Sequence, residues 1–276
     1  MDRTKIDWCD ASMNIVTGCY HGCEYCYARD MAHRYAGYNT SHSGNYSYRT
    51  RQGTIHELNH PCYIVDEAGF KRKAAYPFDF EPTFFRYKLD AMKRWRRPRS
   101  IFMSSMGDLF GDWVPDRWLT QVMDACAAAS WHRSLFLTKN PERYNDFFGN
   151  VYDYIHAGMD SDHFWFGTTV TGMADMGRVG WLGRFKRDFG AHVFVSIEPL
   201  LGALDALAIR KIVETCDWII IGAETGNRKD KVIPEYSWVS DIEMQARRAG
   251  VPVFMKASLR WIVDVELRRE FPWEKA

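Results

Sequence analysis

The sequence predicts an α/β fold, a complete or nearly complete (β/α)8 TIM-like barrel, on three observations. Apolar runs of strand length recur along the chain, with stretches of helical character between them. The runs are apolar throughout rather than alternating, as strands covered on both faces require. Each then ends in small or polar residues, and parallel α/β folds build their sites at the carboxyl ends of strands. About eight strands can be counted, five of them clear units in the C-terminal two-thirds, with a partial barrel as the alternative. The repetition is architectural, since no sequence repeat is visible.

Length and composition agree with this class. The 276 residues suit one domain, 1–276, with a substantial core, and 46% hydrophobic residues argue against disorder. A net charge of +1 gives no global drive toward nucleic acid or membrane, so any such partner needs a local patch. The segment Met1–Trp8 lacks a signal-peptide core, and no apolar run approaches the roughly 18 residues of a membrane span. A cytoplasmic protein is expected. The odd total of 7 cysteines, three of them clustered, fits a reducing compartment better than a disulfide framework.

In chain order, a first strand over 13–17 runs into Cys19, Cys23 and Cys26, spaced C-x3-C-x2-C, and then a helix to Tyr35 with Gly37 as its stop. Three thiolates on one loop can hold three irons of a cubane and leave the fourth open. The alternative is a structural zinc knuckle completed by Cys9, Cys62 or a histidine. Cys126 and Cys216 read as buried small hydrophobes.

Residues 37–76 have no sustained period and read as an irregular inserted lid. Within them His56-Glu57-Leu-Asn-His60 matches H-E-x-x-H, a zinc-hydrolase pattern that needs both histidines on one helical face. Pro61 directly after His60 disfavours that geometry. A short strand at 78–82 and a helix over 87–95 follow, ending in the basic run 93–99 with Arg94, Arg96 and Arg97. Arginines among aromatics suit phosphate and base contacts, and they equally suit a solvated helix terminus.

The strand from Ser100 enters a loop of small polar groups carrying Ser105, Gly107 and Asp108. A helix over 116–129 precedes the strand 134–139, whose end places Lys139 on the same rim, able to pair with a carboxylate or to form a structural salt bridge. Further strands at 164–170, 192–199, 217–226 and 251–256 alternate with helices near 178–188, 204–214 and 237–249. Thr168, Thr169, Glu198, Glu224 and Lys256 fall at their polar ends. A site rim explains that consistency.

The cysteine spacing, with Tyr25 just before the last cysteine, resembles the signature of the radical S-adenosylmethionine (SAM) superfamily. That resemblance implies a [4Fe-4S] cluster on Cys19, Cys23 and Cys26, and SAM chelated at the open iron. It also implies reductive cleavage to a 5'-deoxyadenosyl radical, and an external electron donor such as flavodoxin or ferredoxin. The motifs Asn14-Ile-Val-Thr-Gly-Cys, Ser105-Met-Gly-Asp-Leu-Phe, Leu137-Thr-Lys, Ser196-Ile-Glu-Pro-Leu-Leu-Gly and Gly222-Ala-Glu-Thr-Gly look like an uncharacterised phage and prophage family of three-cysteine proteins. The Cys-Glu-Tyr-Cys-Tyr-Ala-Arg segment and the strand order are similar to the branch containing spore photoproduct lyase. By that resemblance Ser105, Gly107 and Asp108 meet the SAM ammonium, Lys139 its carboxylate, and Tyr25 with Thr168 or Thr169 completes the cofactor contacts. Glu198, Glu224 and Lys256 are left for substrate, with salt bridges of the glutamates to Lys256 or Arg178 as an equal alternative. With the basic run they favour a nucleotide or nucleic acid over a peptide. Two other classes stay open: a zinc hydrolase using His56, Glu57 and His60, and a noncatalytic metal-stabilised module binding nucleic acid through 93–99.

Overall fold

Alternating strands and helices assemble a seven-stranded parallel sheet in a computed structural model that describes residues 4–152, 162–226, 228–264 and 266–274. The chain begins with β1 (Ala11–Met13), β2 (Val16–Thr17) and α1 (Tyr27–Arg34). Short strands follow: β3 (Tyr46–Arg49), β4 (Thr54–Glu57), β5 (Tyr63–Val65), β6 (Lys71–Lys73) and β7 (Thr83–Phe84). A 3-10 stretch over Arg86–Arg94 leads into β8 (Ser100–Met103). From there the alternation is regular: α2 (Asp116–Ala127), β9 (Arg133–Thr138), α3 (Glu142–Asn150), β10 (Phe164–Thr169), α4 (Met176–Phe189), β11 (His192–Ile197), α5 (Ala206–Thr215), β12 (Trp218–Ile221), α6 (Tyr236–Ala249) and β13 (Val253–Met255).

The large sheet runs β1-β8-β9-β10-β11-β12-β13, every pair parallel, and curls into a half-barrel. The closed eight-stranded barrel expected from the strand count does not form among the described residues. The segment expected to supply the second strand goes elsewhere: β2, β7, β4 and β3 make a separate four-stranded sheet, and β5 pairs with β6. The single strand expected over 13–17 divides at Asn14-Ile15, β1 joining the large sheet and β2 the small one. The strand expected at 78–82 sits instead at β7.

The insertion at 37–76 is therefore strand-forming rather than irregular. Its strands escape a periodicity search because β3 and β6 are exposed along their whole length and carry no buried stripe.

Alternation along each strand sorts the core into two faces. Ile101, Phe136, Phe166, Val193, Val195 and Ile219 pack outward against α2 to α6 in one large cluster. Phe102, Leu135, Trp165, Phe194, Trp218 and Phe254 point inward, where Trp8 and Phe271 join them. An aromatic plug thus fills the half-barrel below its carboxyl rim, and side chains one layer higher with the same parity are left to line a cavity.

Candidate cofactor site at the carboxyl ends of the strands

A cavity of about 470 Å³ opens above that plug, within the usual size for a small-molecule site. Cys19, Cys23 and Cys26 line it, together with Tyr25, Ser105, Gly107, Asp108, Lys139, Thr169, Glu198, Glu224 and Lys256. Residues far apart in sequence converge because every parallel strand ends on the same side.

The cysteine loop is held in place by backbone contacts that only glycine allows. Gly18 has φ +84°, and a Cβ there would overlap the Glu81 backbone. Gly18 bridges Gly107, where a Cβ would stand 2.8 Å from the Gly18 carbonyl oxygen. Gly107 thus serves the approach of two loops.

Asp108 serves the same purpose by hydrogen bonding. One carboxylate oxygen accepts from Thr138 Oγ1 at 2.7 Å and Phe110 N at 3.0 Å; the other meets His21 Nε2 at 2.8 Å and accepts from Lys139 N at 3.0 Å. Burial raises its pKa, but the bonds to His21, Lys139 and Thr138 outweigh it and leave the carboxyl below the usual range. With both oxygens engaged, Asp108 clasps the cysteine loop to the end of β9.

Ser105 Oγ donates to Asn14 Oδ1 at 3.1 Å, and Met106 N donates to the same oxygen at 3.0 Å. Lys139 stands with its ammonium 5.7 Å from the Tyr25 ring centroid. Among the described residues no carboxylate lies at salt-bridge distance from it.

Strand parity separates the two threonines. Thr169 shares the inward parity of Trp165 and lines the cavity, whereas Thr168 is fully buried on the other parity and donates to Thr138 O at 2.9 Å. Of the two, Thr168 is thus the one that does not line the cavity.

The candidate substrate groups are paired. Lys256 Nζ bonds Glu198, and Glu224 takes Arg228 through both oxygens at 2.7 Å. The Arg228 guanidinium holds the Glu224 carboxyl below its ordinary value, against the opposing effect of burial.

Other sequence candidates lie apart. Of the H-E-x-x-H segment, His56 and Glu57 are on β4 and His60 lies beyond its end, so no helix sets the histidines one turn apart. His56 stacks on Phe78 at 3.6 Å and bonds Ser47 Oγ at 2.8 Å and Glu81 at 2.6 Å, while Glu57 accepts from Arg117 and Trp118, both at 3.0 Å. Those contacts leave no zinc-hydrolase geometry. The basic run 93–99 precedes β8 and so lies at the amino ends of the strands, on the opposite side of the sheet from the cavity.

Two residues missed by sequence reasoning organise the site: His21, which lies between the cysteines, and Asn14. Only tertiary partners reveal them, since neither belongs to a pattern of spacing.

The donor set fits a soft cluster that is left one ligand short. Three thiols and no fourth cysteine line the cavity, and open space adjoins them. Burial pushes Cys19 up to about 12, so its thiolate forms when a metal cation replaces the proton. As placed here, no group of three or more His, Cys, Asp or Glu side chains among the described residues is arranged to hold a metal ion.

The model of a family described as "Protein of unknown function (DUF5131)" matches residues 3–271. Comparison with curated proteins gives no match. Among solved structures, a cysteine-to-serine variant of spore photoproduct lyase aligns at a TM-score of 0.52 and 12% identity, over 92% of this chain and 79% of that one. A spore photoproduct lyase complexed with dinucleoside spore photoproduct aligns at 0.47 and 12% identity, over 90% of this chain. A doubly substituted form of that lyase with bound AdoMet and dinucleoside spore photoproduct aligns at 0.45 and 13%, again over 90% of this chain. This chain covers 63% of each of those two complexes, less than two thirds of their length. The first alignment carries a likeness of fold.

Proposed function

The chain belongs to the DUF5131 family, and from that premise we propose that it is a radical SAM enzyme. The observation that carries this reading is the convergence of Cys19, Cys23, Cys26 and Lys139 on one cavity at the carboxyl rim of a half-barrel. The half-barrel fold shared with spore photoproduct lyase supports it.

In this reading the three cysteines hold a [4Fe-4S] cluster and Lys139 faces the SAM carboxylate, with Tyr25, Ser105 and Thr169 as further contacts. When bound, the cluster and SAM supply reductive sulfonium cleavage to a 5'-deoxyadenosyl radical for hydrogen abstraction. The chain's own part is positional. Asp108 and His21 fix the cysteine loop against β9, Gly18 and Gly107 bring two backbones together, and the aromatic plug closes the cavity floor against water. An external reductant such as flavodoxin or ferredoxin completes the scheme.

Anaerobic reconstitution with iron and sulfide, followed by incubation with SAM and dithionite, tests the reading. A brown protein that releases 5'-deoxyadenosine is expected, with both properties lost in Cys19→Ala. A Cys19→Ala protein that keeps the full cluster and still cleaves SAM would falsify it.

A further inference from the structure

The loops after β10, β11, β12 and β13 supply one wall of the cavity, through Thr169, Glu198, Glu224 and Lys256. Each of the same four loops, or the first turn of the helix it enters, also carries a large apolar side chain turned to solvent. Met173 follows β10; Leu207, 67% exposed, opens α5; Ile233, 69% exposed, and Tyr236 precede and open α6; and Trp261, 92% exposed, follows β13. Because β10 to β13 are consecutive parallel neighbours, all five stand at the carboxyl end of the sheet, the end that holds the cavity, outside the lining of the cavity itself. Single exposed apolar residues are ordinary, but at least one from each of four consecutive loops at the cavity end of the sheet is the pattern of an interaction surface.

Charge decides what fits there. The loops over 170–178, 198–207, 222–236 and 256–264 hold seven acidic and six basic residues. Three of those six cations are paired: Arg178 with Asp175 at 2.8 Å, Arg228 with Glu224 at 2.7 Å, and Lys256 with Glu198. A phosphate backbone needs an excess of cations, which seven acidic against six basic residues do not give, and aliphatic side chains such as Leu207 and Ile233 offer no stacking face to bases. Trp, Tyr and Met beside aliphatics are what a polypeptide partner buries. The strongest basic run, 93–99, is at the other end of the sheet.

We infer that this lip of four loops is a docking surface for a polypeptide, which it holds over the cavity. The partner is a segment with apolar side chains and neutral to basic charge. That such a segment is the substrate rests on the radical SAM reading; the docking itself does not.

The test is selection by the full chain from displayed random peptides of about twelve residues, run beside random single-stranded DNA and RNA pools, with binding then measured by fluorescence anisotropy. Apolar-rich peptides are expected to be enriched. The variant Ile233→Ser with Trp261→Ala should weaken them tenfold or more at an unchanged thermal midpoint, and Arg94→Ser should not. The inference is overturned by no enriched peptide, by peptide binding indifferent to the lip variant, or by a nucleic acid that binds and is lost in it. It is also overturned if the lip variant abolishes self-association instead, since the occupant would then be a second copy. Iron content is measured on the same reconstituted preparation. Peptide binding by protein that takes up no cluster upholds docking and removes the radical SAM reading; a cluster without peptide binding does the reverse.

Discussion

Four hydrogen bonds converge on Asp108, so replacing it exposes what the clasp contributes. In Asp108→Asn an amide donor faces groups that are themselves donors. Stability should fall by about 1–3 kcal/mol in urea unfolding, and iron retention should fall with it as the cysteine loop loosens. Lys139 is different because no carboxylate among the described residues pairs with it. If it faces SAM, calorimetry on Lys139→Ala should show affinity weakened by about 1.5–3 kcal/mol, the range for a charged hydrogen bond. Unchanged affinity would remove it from the site. His56 gives a pH signature. Burial lowers its pKa below the ordinary 6.5, and the Glu81 carboxylate only partly offsets this. Below that value the unfolded chain takes up a proton that the folded one resists, so stability declines as pH falls. His132, also shifted down by burial, acts in the same direction. His56→Gln should therefore flatten part of the loss as pH falls below the ordinary 6.5, as followed by thermal unfolding, and should leave iron binding intact. An unchanged slope would show that the buried imidazole is not its source.

Elements add constraints that single residues do not have. The loop after β8 and the cysteine loop touch through Gly107 and Gly18, and a methyl group at Gly107 has only 2.8 Å to the opposing carbonyl oxygen. Gly107→Ala should cost about 1–3 kcal/mol through backbone displacement. Its sharper effect should be on iron stoichiometry after reconstitution, because the displaced segment carries Cys19. Full cluster occupancy in this variant would show that the two loops move independently. Thr169, Glu198, Glu224 and Lys256, at strand ends after β8, line the cavity, while Asn14, which anchors Ser105 and Met106, was given no role in advance. An asparagine before an apolar pair has no period to mark it. The insertion failed for a related reason: β3 and β6 are held by partner strands rather than by burial of their own side chains, so their sequences have no reason to alternate.

The whole molecule is polarised along its strands, with reactive groups at the carboxyl ends and the run 93–99 at the amino ends. Charge reversal at Arg94, Arg96 and Arg97 should consequently leave cluster content and SAM cleavage unchanged in anaerobic assays. A loss of either would mean that the two ends communicate. The sequence by itself determined the class of fold, the order of the repeating strands from β8 onward, the three-cysteine loop and the polar strand ends. These follow from local patterns: buried strands must be apolar, and parallel strands must deliver their last residues to one side. Only the tertiary structure decided that the barrel stays open, that Thr169 rather than Thr168 lines the cavity, and that Asp108 is a clasp. It also decided that Glu198 and Glu224 are paired within the chain. Each of these depends on which distant segment fills a given space, through strand parity, pairing partners and the approach of two backbones, and spacing along one chain does not encode such contacts.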